Sequence, residues 1–327
     1  MSRYILAIAI IMLIITSPSS GQDRVPYKPV NTYSIVCFDP ETGQFGAAVQ
    51  SHYFKVADVI WLKPGVGAVA TQSLVDFAYG PIGLEMMEKG RTAQEALSGC
   101  LASDPDRDYR QVAMIDKMGI ASAHTGLNCI AEAGHMIGDN FSVQANLMRN
   151  VTVWGAMATA FKETEGDLAE KMMAALEAAQ AEGGDIRGKQ SAAMVVVSGE
   201  ATGQSWRDRL IDIRVDDHAE PLKELRRLLN ISRAYNHMDE GDSFITMGDF
   251  EAAEREYKMA SELAPDNVEI KFWYAVTLAT ERELKDALPI FKEVFAQDSI
   301  WKELVPRLVP AGILPDDQGV IDLILEQ

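Results

Sequence analysis

Thr32 opens the first stretch of the chain that reads as a β-strand, Thr32-Tyr33-Ser34-Ile35-Val36-Cys37-Phe38. A threonine at the true start of a folded domain combines two catalytic parts in one residue. Its hydroxyl attacks a carbonyl while its own α-amine takes the proton. Here that chemistry requires a cut between Asn31 and Thr32, because in the intact chain the nitrogen is a peptide amide. Further hydrogen-bonding and titratable side chains fall where strands end, the places that commonly line a cleft. Ser51 and His52 close the second strand; Thr71 and Gln72 close a later one, just ahead of Asp76 and Tyr79; His124 ends another. Gln144 and Asn146, two residues apart, share one strand face. Amide groups among Val and Leu are costly there unless bonded. A glycine-rich run at 183–191 carries Asp185, Arg187, Lys189 and Gln190 into an apolar strand. Such a loop can bring a carboxylate and two cations to a reacting group.

This set suits hydrolysis of a linear or cyclic amide, with Thr32 as nucleophile and Asp185 and Lys189 tuning it. Ser51, His52, Thr71, Gln72, Asp76, Tyr79, His124, Gln144, Asn146, Arg187 and Gln190 are the candidate substrate contacts. The same residues also suit a scaffold that binds a ligand or an envelope partner without chemistry. Whether Thr32 gains a free amine separates the two readings. The sequence holds no metal-ligand spacing, phosphate loop, nucleophile elbow or dinucleotide fingerprint, so no metal or cofactor is expected.

The elements that must position these residues alternate in groups. Strands read at Thr32–Asp39, Phe45–Ser51, Ala57–Leu62 and Gly67–Gln72, with the Asp39–Gly43 cluster turning the first hairpin. Helical patterns follow at Gly80–Lys89 and Thr92–Ser103, the second with Thr92 and Glu95 placed for a capping box. Strands return at Arg110–Asp116, Ile120–His124 and Phe141–Leu147, helices at Val151–Thr164 and Asp167–Glu182, and strands at Ala192–Ser198 and Arg209–Val215. Helices in pairs rather than after each strand argue against a parallel βαβ sheet. They fit an α+β fold of two stacked sheets with helices outside, a four-layer αββα sandwich over residues 32–217. Residues 218–327 then read as all helix. A spacing of 34 repeats there: Gly241 recurs as Ala275, Phe244 as Leu278, Ala253 as Ala287, Tyr257 as Phe291 and Ala260 as Val294. With the turns Gly248-Asp249-Phe250 and Ala264-Pro265-Asp266-Asn267, this gives two tetratricopeptide-like units, about 234–267 and 268–301. Such units offer a groove for a protein partner or a surface for self-association.

Residues 1–21 read as a secretory signal: Arg3, an apolar run from Tyr4 to Ile15, then small residues up to Gly21. Residues 22–31 form an extended leader, and the expected location is periplasmic or secreted, with an uncleaved membrane anchor as the alternative. The formal net charge of −18 excludes the basic surface that nucleic acid requires.

Residues 32 to about 217 resemble a family known only as domain of unknown function 1028. The carrying segments are Thr32–Val36, Gly65–Gln72, Tyr79–Leu84, Ala123–Gly126, Phe141–Asn146, Gly183–Ala192 and Asp212–His218. The resemblance implies the αββα sandwich of the N-terminal nucleophile (Ntn) hydrolase superfamily, and it implies no substrate. Members often begin near this threonine. Here the leader precedes it.

Overall fold

The computed structural model describes residues 30, 32–281 and 283–327; the signal segment and the leader up to residue 29 lie outside the described residues. Ten strands are described: β1 (Thr32–Phe38), β2 (Phe45–Ser51), β3 (Ile60–Lys63), β4 (Gly67–Ser73), β5 (Arg110–Asp116), β6 (Ala121–Thr125), β7 (Gly134–Gly138), β8 (Phe141–Ala145), β9 (Ser191–Val197) and β10 (Arg209–Val215). They form a six-stranded sheet in the order β10-β9-β2-β1-β8-β7 and a four-stranded sheet in the order β3-β4-β5-β6. Both are antiparallel throughout.

Side chains alternate across a strand, and in β1 both sets are buried. Tyr33, Ile35 and Cys37 join a core with α3 (Val153–Glu163) and α4 (Leu168–Ala181), which lie on the outer face of the six-stranded sheet. Val36 turns inward and meets Ala68, Ala70, Ala113 and Ile115 of the other sheet. The four-stranded sheet carries α1 (Tyr79–Glu88) and α2 (Ala93–Ser103) on its far side, packed on Val69, Val112 and Met114. Gly80 lets α1 approach: a Cβ there would lie 2.1 Å from the Trp61 ring. The expected capping box at α2 forms, with the Glu95 amide donating to Thr92 Oγ1 and Glu95 Oε2 accepting from the Thr92 amide.

Three strand regions differ from expectation: β8 ends at Ala145 rather than Leu147, so Asn146 lies just past it. The strand expected over Ala57–Leu62 starts only at Ile60, because Val56–Val59 winds into a 3₁₀ turn behind Lys55, whose φ is 60°. β7 was not foreseen: Gly-His-Met-Ile-Gly shows no alternation, and the strand sits at a sheet edge.

A short α5 (Ser205–Asp208) precedes β10, and after β10 the remainder is helical: α6 (Pro221–Met247), α7 (Phe250–Leu263), α8 (Val268–Thr280), α9 (Leu284–Gln297), α10 (Ile300–Leu308) and α11 (Gln318–Leu325). α6 runs unbroken from Pro221 to Met247, 27 residues in all, and stops where Gly248 takes a φ of 77°. Its first half belongs to the sheet core through Leu222, Leu225 and Leu229. It is fastened to α4 by Arg226 with Glu170 and Glu177, and by Arg233 with Glu170 and Asp167. Its second half packs on α7. Positions that recur at the spacing of 34 are packing positions: Ala253, Tyr257 and Ala260, like Ala287, Phe291 and Val294, are buried. The three cysteines are free thiols. Among the described residues no helix is long and apolar enough to cross a membrane.

Candidate functional site

Antiparallel pairing brings the start of β1, β5, β7 and β9 and the end of β2, β4, β6 and β8 to one end of the stacked sheets. Thr32 begins β1 there, opposite Ser51, which in turn faces Ser191. Thr32 is fully buried, and its hydroxyl donates to the Val30 carbonyl at 2.9 Å. Val30 is itself pinned to Ser73 by two backbone hydrogen bonds of 2.7 and 3.0 Å.

Between the sheets, next to Thr32, lies a lattice of neutral side chains. Gln72 accepts from Ser34 Oγ at 2.6 Å, and its amide nitrogen donates to the Thr32 carbonyl (3.1 Å) and to Gln111 Oε1 (2.6 Å). Gln111 Oε1 also accepts from Asn146 Nδ2 at 2.9 Å. Its own nitrogen reaches Thr125 Oγ1 and the carbonyls of Gly134 and Ala145. Gln144 donates to Ser34 Oγ at 2.6 Å and accepts from Ser142. Thr125 Oγ1 lies 2.8 Å from His135 Nδ1, and burial, then the neighbouring His124, keeps His135 below the ordinary histidine value. The Asn146 amide hydrogen bonds the Thr32 carbonyl, while Asn146 Oδ1 is buried with no partner. Ser73 and Leu147, immediately after Gln72 and Asn146, have φ of 69° and 56°. These left-handed residues turn the chain sharply at the two strand ends.

Charge enters this end from the glycine-rich loop. The Asp185 side chain is fully buried, accepts from the His52 amide at 3.3 Å, and pairs with Arg187 at 2.6 Å. Tyr33 senses it: burial, then the Asp185 charge, raises the tyrosine well above its usual value. Lys189 pairs instead with Glu220 at 2.6 Å, and Gln190 donates to Asp217 at 3.1 Å, so both hold the loop to the segment entering α6. His124 shares the outer side of its sheet with Val112, its cross-strand partner, and bonds the Arg107 carbonyl.

Thr32, Ser51, Gln72, Gln144 and Asn146 thus converge, with His52, Asp185 and Arg187 beside them. Thr71, Asp76 and Tyr79 do not join them. Thr71 pairs with Val112, a residue of the core under α1 and α2, and its buried hydroxyl has no partner. Asp76 and Tyr79 line a separate cavity of about 270 Å³ between α1 and α2 with Cys100 and Asp104. There the Tyr79 hydroxyl donates to Asp104, which holds Arg110 at 2.8 Å. Burial and the Asp104 bond push the Tyr79 hydroxyl far up.

Gln111, the hub of the lattice, was not among the expected residues. Its signal lay in β5, where a long amide stands at an inward position shared with Ala113 and Ile115. The hydrogen bond described for the Thr32 hydroxyl runs to a carbonyl oxygen, so no side-chain base holds that proton.

Stacked antiparallel sheets with outer helices and a polar end define a mixed α+β protein with a C-terminal helical region. Residues 32–225 match the family described as "Family of unknown function (DUF1028)", and the chain belongs to that family. Among solved structures it is similar to protein SPO2555 from Silicibacter pomeroyi, also placed in this family, at 28% sequence identity. The match has a TM-score of 0.54 and covers 61% of this chain and 88% of that one. No curated protein matches the chain.

Proposed function

We propose that this protein is a latent amide hydrolase of the Ntn class: an αββα sandwich, followed by tetratricopeptide-like repeats, working in the periplasm or outside the cell. The observation that carries this reading is the position of Thr32, first in a central strand, beside the amide lattice and with no side-chain base on its hydroxyl. A nucleophile so placed needs a base, and its own α-amine supplies one once the 31–32 peptide bond is cut. The amine takes the hydroxyl proton as Oγ1 attacks the amide carbon. The tetrahedral oxyanion collapses as the α-ammonium returns its proton to the departing nitrogen, which leaves as amine; the ester on Thr32 is then hydrolysed by water that gives its proton to the regenerated α-amine. The unpartnered Oδ1 of Asn146, an acceptor held in place through Gln111 and Gln72, orients the substrate amide without forcing a buried charge, and the Asp185–Arg187 pair sets the local field.

A second reading rests on a different observation. The Thr32 hydroxyl is bonded to Val30, and Val30 is tied to Ser73. A chain that keeps these contacts is a binding module, with the lattice as ligand contact and the repeats as a surface for a protein partner or for self-association.

A peptidyl epoxyketone separates the two, because it is captured by a hydroxyl and a free amine on one residue. The N-terminal sequence and intact mass of protein from its native envelope are measured before and after treatment. A chain starting at Thr32, with one adduct that Thr32→Ala abolishes, supports the hydrolase. A chain that begins ahead of Thr32 and stays unlabelled overturns it.

A further inference from the structure

Where α6 meets α7, carboxylates greatly outnumber cations. From Ala234 to Glu254 the sequence contains Asp239, Glu240, Asp242, Asp249, Glu251 and Glu254 and no lysine or arginine. Close backbone packing concentrates this charge: Gly241 faces Tyr257, and a Cβ there would come within 2.8 Å of the ring. His237 and Glu240 stand one turn apart on the same face of α6, and Glu256 reaches them from α7. One donor atom from each, an imidazole nitrogen and two carboxylate oxygens, lie within 4.8 Å of one another. His237 Nδ1 is already 2.7 Å from Glu256 Oε2, and the Glu256 side chain is only 16% exposed.

We propose that this seam binds one divalent transition-metal ion of the zinc class, ligated by His237, Glu240 and Glu256, with water completing its shell. Donor chemistry decides the kind of ion. Imidazole with carboxylates suits zinc, cobalt or manganese, whereas calcium and magnesium favour all-oxygen sets. Ligand bonds of about 2.0–2.2 Å hold donors roughly 3–3.5 Å apart in a tetrahedral shell. Donors now within 4.8 Å of one another would reach that spacing by rotation of the two glutamate side chains. The ion ties α6 to α7 and adds positive charge to a seam in which Arg255 already pairs with Glu251.

The test is titration of the metal-free full-length chain with Zn²⁺ alone, read by calorimetry, and with Co²⁺, read by its visible absorption. One saturable site per chain is expected, weakened more than about tenfold in His237→Ala and in Glu256→Gln. Glu240→Gln, an exposed change that leaves the helix pair intact, should weaken it as well and dim the cobalt spectrum. Binding that is absent from the wild type, or that survives all three substitutions, overturns the site. So does binding that is lost instead in His124→Ala, which would place the ion near His124 and His135. None of these outcomes depends on Thr32 chemistry.

Discussion

Two polar clusters lie on opposite sides of β4, and they are built on different principles. Inside the sandwich, Ser34, Gln72, Gln111, Gln144 and Asn146 form a neutral lattice with amide groups as both donors and acceptors. Outside, under α1 and α2, Tyr79, Asp104 and Arg110 form a hydrogen-bonded ion pair, with both charged side chains 9% exposed. Gln72 and Thr71 are neighbours in sequence yet belong to opposite sides, because successive strand residues point to opposite faces. Adjacent polar residues at a strand end therefore do not make one site. The neutral lattice brings no formal charge between the sheets. The ion pair fastens a helix layer to its sheet.

The largest effect should come from breaking the ionic cluster. Arg110→Ala leaves Asp104 buried without its counter-charge and should destabilise the protein by about 3–5 kcal/mol, measured by denaturant unfolding. A loss under about 1 kcal/mol would mean that the pair is solvated. Next is the lattice. Gln111→Met strands Gln72 and Asn146 and should cost about 1–3 kcal/mol in the same assay.

The two clusters also differ in their response to acid. Burial opposes ionisation of Asp104, yet hydrogen bonds from Arg110 and its neighbours outweigh it and hold the carboxyl below its usual 3.8. Glu170, half-buried between α4 and α6 and bonded by Arg226 and Arg233, is held below 4.5. In each case the folded value lies under the unfolded one. The contribution is therefore full above the unfolded value and fades as pH falls through the folded one. Stability should drop from about pH 4.5 downward, with a shallower slope in Glu170→Gln and an unchanged slope in Gln111→Met. Thermal unfolding across that range checks both. The smallest effect should be a gain: Thr71→Val removes a buried hydroxyl that has no partner and should stabilise by up to about 1 kcal/mol. A loss in thermal stability would show that the hydroxyl is bonded in solution.

Much of this architecture was legible because its strands and helices obey simple periods. β5 and β10 fall on the residues expected, since each is a run of strand-forming residues bounded by turns. β7 was hidden, because an edge strand ending in glycine at both sides carries little pattern. Convergence of Gln72, Gln144 and Asn146 could be anticipated from amides on apolar faces. The assignment of Asp76 and Tyr79 to another cavity could not, because it depends on which side of β4 the following helix crosses. The pairing of Lys189 with Glu220 was equally invisible: it joins two segments that meet only through the docking of α6.

That docking makes α6 a beam. At 1.5 Å per residue its 27 residues span about 40 Å without a break. One end is a wall of the sandwich core; the other is the first member of the helical stack. No slack linker separates the two, so a pull or twist on the distant helices is delivered to Leu222, Leu225 and Leu229. It arrives beside Glu220, the residue that grips Lys189 on the loop carrying Asp185 and Arg187. A chain severed after Asp217 would lose both the wall and the grip.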